Sequence, residues 1–166
     1  MAGSIGNQNI LKTILVAGLV AGTLDISAAF VQSYIDGGHS PDFILKIIAG
    51  GVFGIPKALA GGWEMAAVGL LCHYIIAFSL AAFFVFLYLN WFGLRKHIVL
   101  VGILYGIFAW IVTTRIIIPY LSKIKPRPFN LDKALIAIAI LIFMIGLPIA
   151  LITHAYLRNK MVRAKA

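Results

Sequence analysis

The chain has 166 residues, of which 62% are hydrophobic and only 11% charged, and its mean hydropathy is +1.03. A water-soluble domain of this size cannot hide so much apolar surface with so few charges, so the composition excludes a soluble globular protein and indicates a polytopic membrane protein. The net charge of +9 does not indicate nucleic acid: the basic residues flank apolar runs, where they meet anionic lipid head groups, and no basic groove interleaved with aromatics occurs.

In chain order, windows of about 20 apolar residues predict an all-α protein with four transmembrane helices in a single integral membrane domain, residues 1–166. The spans fall at 10–35, 63–91, 97–121 and 132–157. The first could pass for a secretion signal, but its apolar stretch is too long, contains Asp25 and lacks a small-residue cleavage site, so it is expected to stay in the mature protein.

Between the first two spans, Ser40 followed by Pro41 is a helix start, and Phe43, Ile44, Ile47, Ile48 and Val52 recur on one side. A helix over 41–53 would reach only about 20 Å, too short to cross, so it is predicted to be interfacial or re-entrant. Gly50, Gly51, Gly54 and Pro56 are expected to end it. The segment 90–96 reads as a tight turn making spans two and three antiparallel neighbours, whereas Pro126 and Pro128 stop the helix in the basic connection after span three.

Asp25, His73 and Arg115 each fall inside a span. A charge in hydrocarbon costs roughly 2.5 to 3.5 kcal/mol on insertion scales, so each requires a partner or a wet neighbourhood. At about 1.5 Å per residue all three lie within about 10 Å of their span midpoints, displaced towards one membrane face. Together with Glu64 at the mouth of span two they form the candidate polar intramembrane site. Both a structural cluster that fixes helix packing and a centre that handles protons or a small solute fit this pattern.

Small residues mark the faces on which helices can approach closely. Gly18 and Gly22 share a face with Asp25, Gly69 shares one with His73, and Gly102 and Gly106 line span three, with Arg115 nearly opposite. Another such stripe could serve a homodimer or a membrane complex.

Histidines raise the question of haem or metal. His97 and His154 share a membrane face and are the weak alternative ligands, but no HxxxH, HExxH or cysteine cluster supports a metal, and the one cysteine, Cys72, excludes an internal disulfide. No cofactor is expected. Nucleophile elbows, P-loops and paired carboxylates are also lacking, which disfavours an enzyme and leaves a lipid-modifying membrane protein as an alternative by class alone.

The runs Gly18 to Ile26 and Ile48 to Gly54, the pair Gly61-Gly62, and the runs Gly69 to Tyr74 and Tyr105 to Trp110 resemble small bacterial inner-membrane proteins of the YagU-like, acid-resistance type. The resemblance implies a four-helix inner-membrane protein with Asp25 and His73 in its polar positions and a link to acid stress. It implies no molecular activity.

The four basic residues Arg158, Lys160, Arg163 and Lys165 directly follow the last span, which favours cytoplasmic termini. We predict that a topology reporter fused after Ala166 reads cytoplasmic and one inserted near Gly38 reads external; the opposite pattern would invert the orientation.

Overall fold

The computed structural model of the chain describes residues 7–124 and 129–163. Pro126 and Pro128, with Lys125, Arg127 and Lys165, lie outside the described residues. The helices are α1 (Asn7–Gly37), α2 (Pro41–Phe53), α3 (Ile55–Ala60), α4 (Trp63–Asn90), α5 (Ile98–Ile111), α6 (Leu131–Leu141) and α7 (Leu147–Arg163). A π-helical stretch, Val112–Leu121, prolongs α5, and another, Ile142–Gly146, joins α6 to α7. Four continuous helices, Asn7–Gly37, Trp63–Asn90, Ile98–Leu121 and Leu131–Arg158, are long and apolar enough to cross a membrane, matching the predicted spans to within a few residues.

These helices are apolar around most of their circumference, as a lipid solvent demands. Leu11, Leu15, Leu71, Phe86, Leu104 and Phe143 point outwards. The interior is built from small residues with a few large ones: Ala17, Ala21, Ala81 and Ala109 are fully buried beside Phe84, Tyr88, Ile149 and Leu157.

α1 lies between α4 and the fourth span, and α5 packs on the fourth span. Glycine decides both contacts. A Cβ on Gly18 would collide with the Phe78 ring, and one on Gly146 with the Gly102 carbonyl; one on Gly106 would come within 2.5 Å of the Ile142 Cα. The small residues expected on span three therefore face span four, where Gly146 and Ala150 supply the partner surface.

Spans two and three are antiparallel, as expected, but they are not a tightly packed pair. Between them stand the rings of Phe84 and Tyr105, 4.8 Å apart, and of Phe83 and Phe108, 5.6 Å apart. Bulky rings keep these two backbones apart where glycines draw α5 onto span four. A groove of about 330 Å³ remains, lined by Ile76, Ser79, Leu80, Phe83, Phe108, Val112 and Ile117. The Tyr105 hydroxyl donates to the Leu80 carbonyl at 2.6 Å and so joins the two spans.

The expected short helix forms as α2, with Pro41 in its first turn. The Ser40 hydroxyl donates to Asp42 rather than to the backbone, and Lys46 pairs with Asp42 at 3.2 Å. The Ser40 bond and then the Lys46 bond hold the Asp42 carboxyl below its ordinary range. Gly50 and Gly51 do not end the helix. Both are buried within it, Gly50 under the Ile55 side chain and Gly51 against Ser122, while Gly54 at φ 88° makes the break. Pro56 then opens the unforeseen short helix α3, since a proline is tolerated in a first turn.

α2 packs across α4, with the Leu45 carbonyl against Gly69. Gly69 is six residues into α4, about 9 Å along its axis, so α2 enters the bundle rather than resting on its end. Its Gly51 carbonyl accepts from the Lys123 amide at 2.7 Å, which ties it to the segment after span three.

We predict that Gly106→Leu and Gly146→Leu each lower stability in detergent by about 1–3 kcal/mol, because backbone on the facing helix cannot yield. Gly93→Ala, where nothing lies within 4 Å, should leave the melting temperature unchanged.

Candidate functional site

The candidate site sits where α4 packs on α1 at Gly22. Without a Cβ, Gly22 leaves room for the Tyr74 ring and for Ala77, either of which a Cβ would meet at 3.0 Å. The same space lets His73 reach the first helix, with its Nε2 2.8 Å from the Gly22 carbonyl oxygen. A carbonyl can only accept, so Nε2 carries a proton and donates it.

One residue on, a second bond joins the same helices. The Thr23 and Tyr74 hydroxyls are 2.8 Å apart, and Thr23 also lies 2.8 Å from the Leu19 carbonyl. Threonine has one hydroxyl proton, which goes to Leu19, so Tyr74 donates to Thr23. Ser27 donates to the Thr23 carbonyl at 2.7 Å. Two consecutive residues of α4 thus clasp two consecutive residues of α1.

Asp25 lies beside this clasp but outside its bonds. It is half-buried, and His73 is a charge partner within electrostatic range. Among the described residues its carboxylate has no hydrogen bond and no ion pair within 4 Å. An acid at this depth with an imidazole nearby can exchange a proton, or can meet a cation brought from outside the chain.

Asp25 and His73 stand within electrostatic range of each other without a hydrogen bond or ion pair between them, and the other two candidates lie apart. Glu64 is exposed at the start of α4, with its carboxylate turned back beside Gly62, and nine residues separate it from His73, about 13 Å of helix. Arg115 is exposed on the π-helical end of span three. That span leans on span four instead of on the α1–α4 pair.

His97 is exposed just before α5, and His154 bonds through Nδ1 to the Tyr88 hydroxyl at 2.9 Å. Among the described residues no three histidine, cysteine or acidic side chains gather in metal-binding range. Cys72 is a free, half-buried thiol.

Sequence reasoning missed Thr23 and Tyr74, and it missed the pairing of Tyr88 with His154. A signal was present: a tyrosine inside an apolar run carries a hydroxyl that needs an acceptor on a neighbouring helix.

We predict that a double-mutant cycle of Thr23→Val and Tyr74→Phe, read by unfolding in detergent, gives a coupling of about 0.6 kcal/mol, the usual worth of an interhelical bond in a membrane. A coupling of zero would show that the hydroxyls do not meet. In comparisons with known proteins, no family model, no curated protein and no solved structure matches the chain.

Proposed function

We propose that this membrane protein handles protons, or a small solute moved with them, at Asp25 and His73. The observation that carries the reading is the half-buried Asp25 carboxylate within a span, lacking a hydrogen bond or ion pair among the described residues while an imidazole stands in electrostatic range. A purely structural acid at this depth would be expected to close an ion pair with its neighbour, because an unmatched polar group in hydrocarbon is costly. His73 is held by the Gly22 carbonyl, so its position is set independently of Asp25.

The same proposal places the chain in a bacterial inner membrane with both termini cytoplasmic, in support of growth under acid stress. The basic residues that follow the last span support that orientation.

A second reading has its own support. The double clasp of His73 and Tyr74 onto Gly22 and Thr23 is what a packing subunit needs, and Asp25 would then pair with a basic side chain of another subunit in a homodimer or membrane complex.

Liposomes holding the purified chain and a pH-sensitive dye separate the two. We predict proton movement above protein-free controls within about pH 4 to 8, a window that brackets ordinary carboxylate and imidazole titration. Asp25→Asn should abolish it while leaving the melting temperature within a few degrees. Wild-type liposomes no leakier than controls across that window would refute proton handling and leave the assembly reading standing.

A further inference from the structure

The site between α1 and α4 leaves Arg115 unexplained. This residue stands within the third span, six residues before the span ends at Leu121, and is exposed on the π-helical stretch. Among the described residues it forms no ion pair, hydrogen bond or ring contact. A guanidinium keeps its proton, so at this level of a bilayer it is costly unless it meets an anion or snorkels to the head-group layer.

Arg115 is bracketed in the chain by two walls of the groove between spans two and three: Val112 comes three residues before it and Ile117 two residues after. Because these spans are antiparallel and the Phe83 and Phe108 rings are 5.6 Å apart, Ile76 and Ile117 form the end of the groove nearer α2. The other end, at Phe108, falls near the midpoint of the Ile98–Leu121 span. Among the described residues that line the groove, only Ser79 has a polar side chain, and its hydroxyl donates to the Ile75 carbonyl at 2.7 Å. These walls fit hydrocarbon. From Ile76 to Phe83 the groove follows α4 for about 10 Å, over which a helix about 10 Å across fills roughly 800 Å³. The groove offers about 330 Å³, so a helix from a second copy would bridge it and leave it empty, whereas an acyl chain can enter.

An apolar groove that starts near the membrane midpoint and ends beside an unmatched cation combines the two chemistries of one molecule. We propose that the groove and Arg115 bind an anionic phospholipid of the leaflet on the α2 side, with one acyl chain along Phe83, Phe108 and Val112 and the phosphate at the guanidinium. Arginine suits that partner because its planar fork can give a phosphate two parallel hydrogen bonds. The ring pairs Phe83–Phe108 and Phe84–Tyr105 hold the groove open. The site is separate from Asp25 and His73 and does not depend on their function.

Native mass spectrometry of the full chain released from detergent tests the assignment, with phosphatidylglycerol and phosphatidylcholine of equal chain length as competing probes. Phosphatidylglycerol should be retained in preference. Arg115→Gln should weaken its retention about tenfold, the worth of one hydrogen bond to a charged group, whereas Arg115→Lys should keep most of it. Arg115 is exposed, so both variants should melt with the wild type in phosphatidylcholine. Ser79→Trp fills the groove without removing a bond between helices, and Val112→Phe fills it from the facing span; each should lower retention of phosphatidylglycerol. Equal retention of the two lipids, an undiminished preference in Arg115→Gln, or full retention in both groove-filling variants would overturn the site. Displacement of phosphatidylglycerol by inorganic phosphate would overturn the lipid assignment in favour of a free-anion site. A dimeric mass that reverts to the monomer in Ser79→Trp, with no lipid retained by the wild type, would give the groove to a second copy instead.

Discussion

The arrangement depends on how closely backbones can approach in a solvent as apolar as the protein's own surface. Lipid gives little hydrophobic drive for one helix to seek another, so association rests on van der Waals contact and a few polar bonds, both of which need short distances. Glycine supplies the distance in each principal contact: Gly18 and Gly22 between α1 and α4, Gly102, Gly106 and Gly146 between spans three and four, and Gly69 beneath α2. The polar clasp follows from the same condition, since His73 reaches a main-chain carbonyl of α1 only where a bare glycine stands opposite.

The polar groups divide into two kinds. Most hydroxyls return their proton to the preceding turn, as Thr13, Ser79 and Thr114 do, and so satisfy themselves in lipid without a neighbour. A smaller set crosses between helices: His73, Tyr74, Tyr105 and the Tyr88–His154 pair. Crossing bonds fix relative rotation and depth, which apolar packing alone specifies weakly. Thr153 belongs to neither kind, being buried with its hydroxyl unbonded, and nothing in the structure accounts for it.

Spans and their small-residue faces were legible because both depend on local composition and on a period of 3.6 residues. The same rule identified α2 from Ser40 and Pro41 with its correct limits. It failed at Gly50 and Gly51, whose role is to admit Ile55 and Ser122, partners unknown until the chain is folded. Neighbour relations were harder still. A short turn suggested that spans two and three pack together, yet size decided otherwise, with Phe83, Phe84 and Phe108 on one side and Gly146 on the other. Depth placed Asp25 and His73 at a similar level; depth could not assign Arg115, because proximity within a layer also depends on which helices touch.

The amide of Lys123 bonded to the Gly51 carbonyl gives α2 a mechanical role. This short helix is wedged against α4 at Gly69 and at its far end grips the chain just beyond span three. It therefore straps together the two spans that aromatic rings hold apart. Any splay of spans two and three would therefore have to stretch both the Lys123–Gly51 bond and the Tyr105–Leu80 bond.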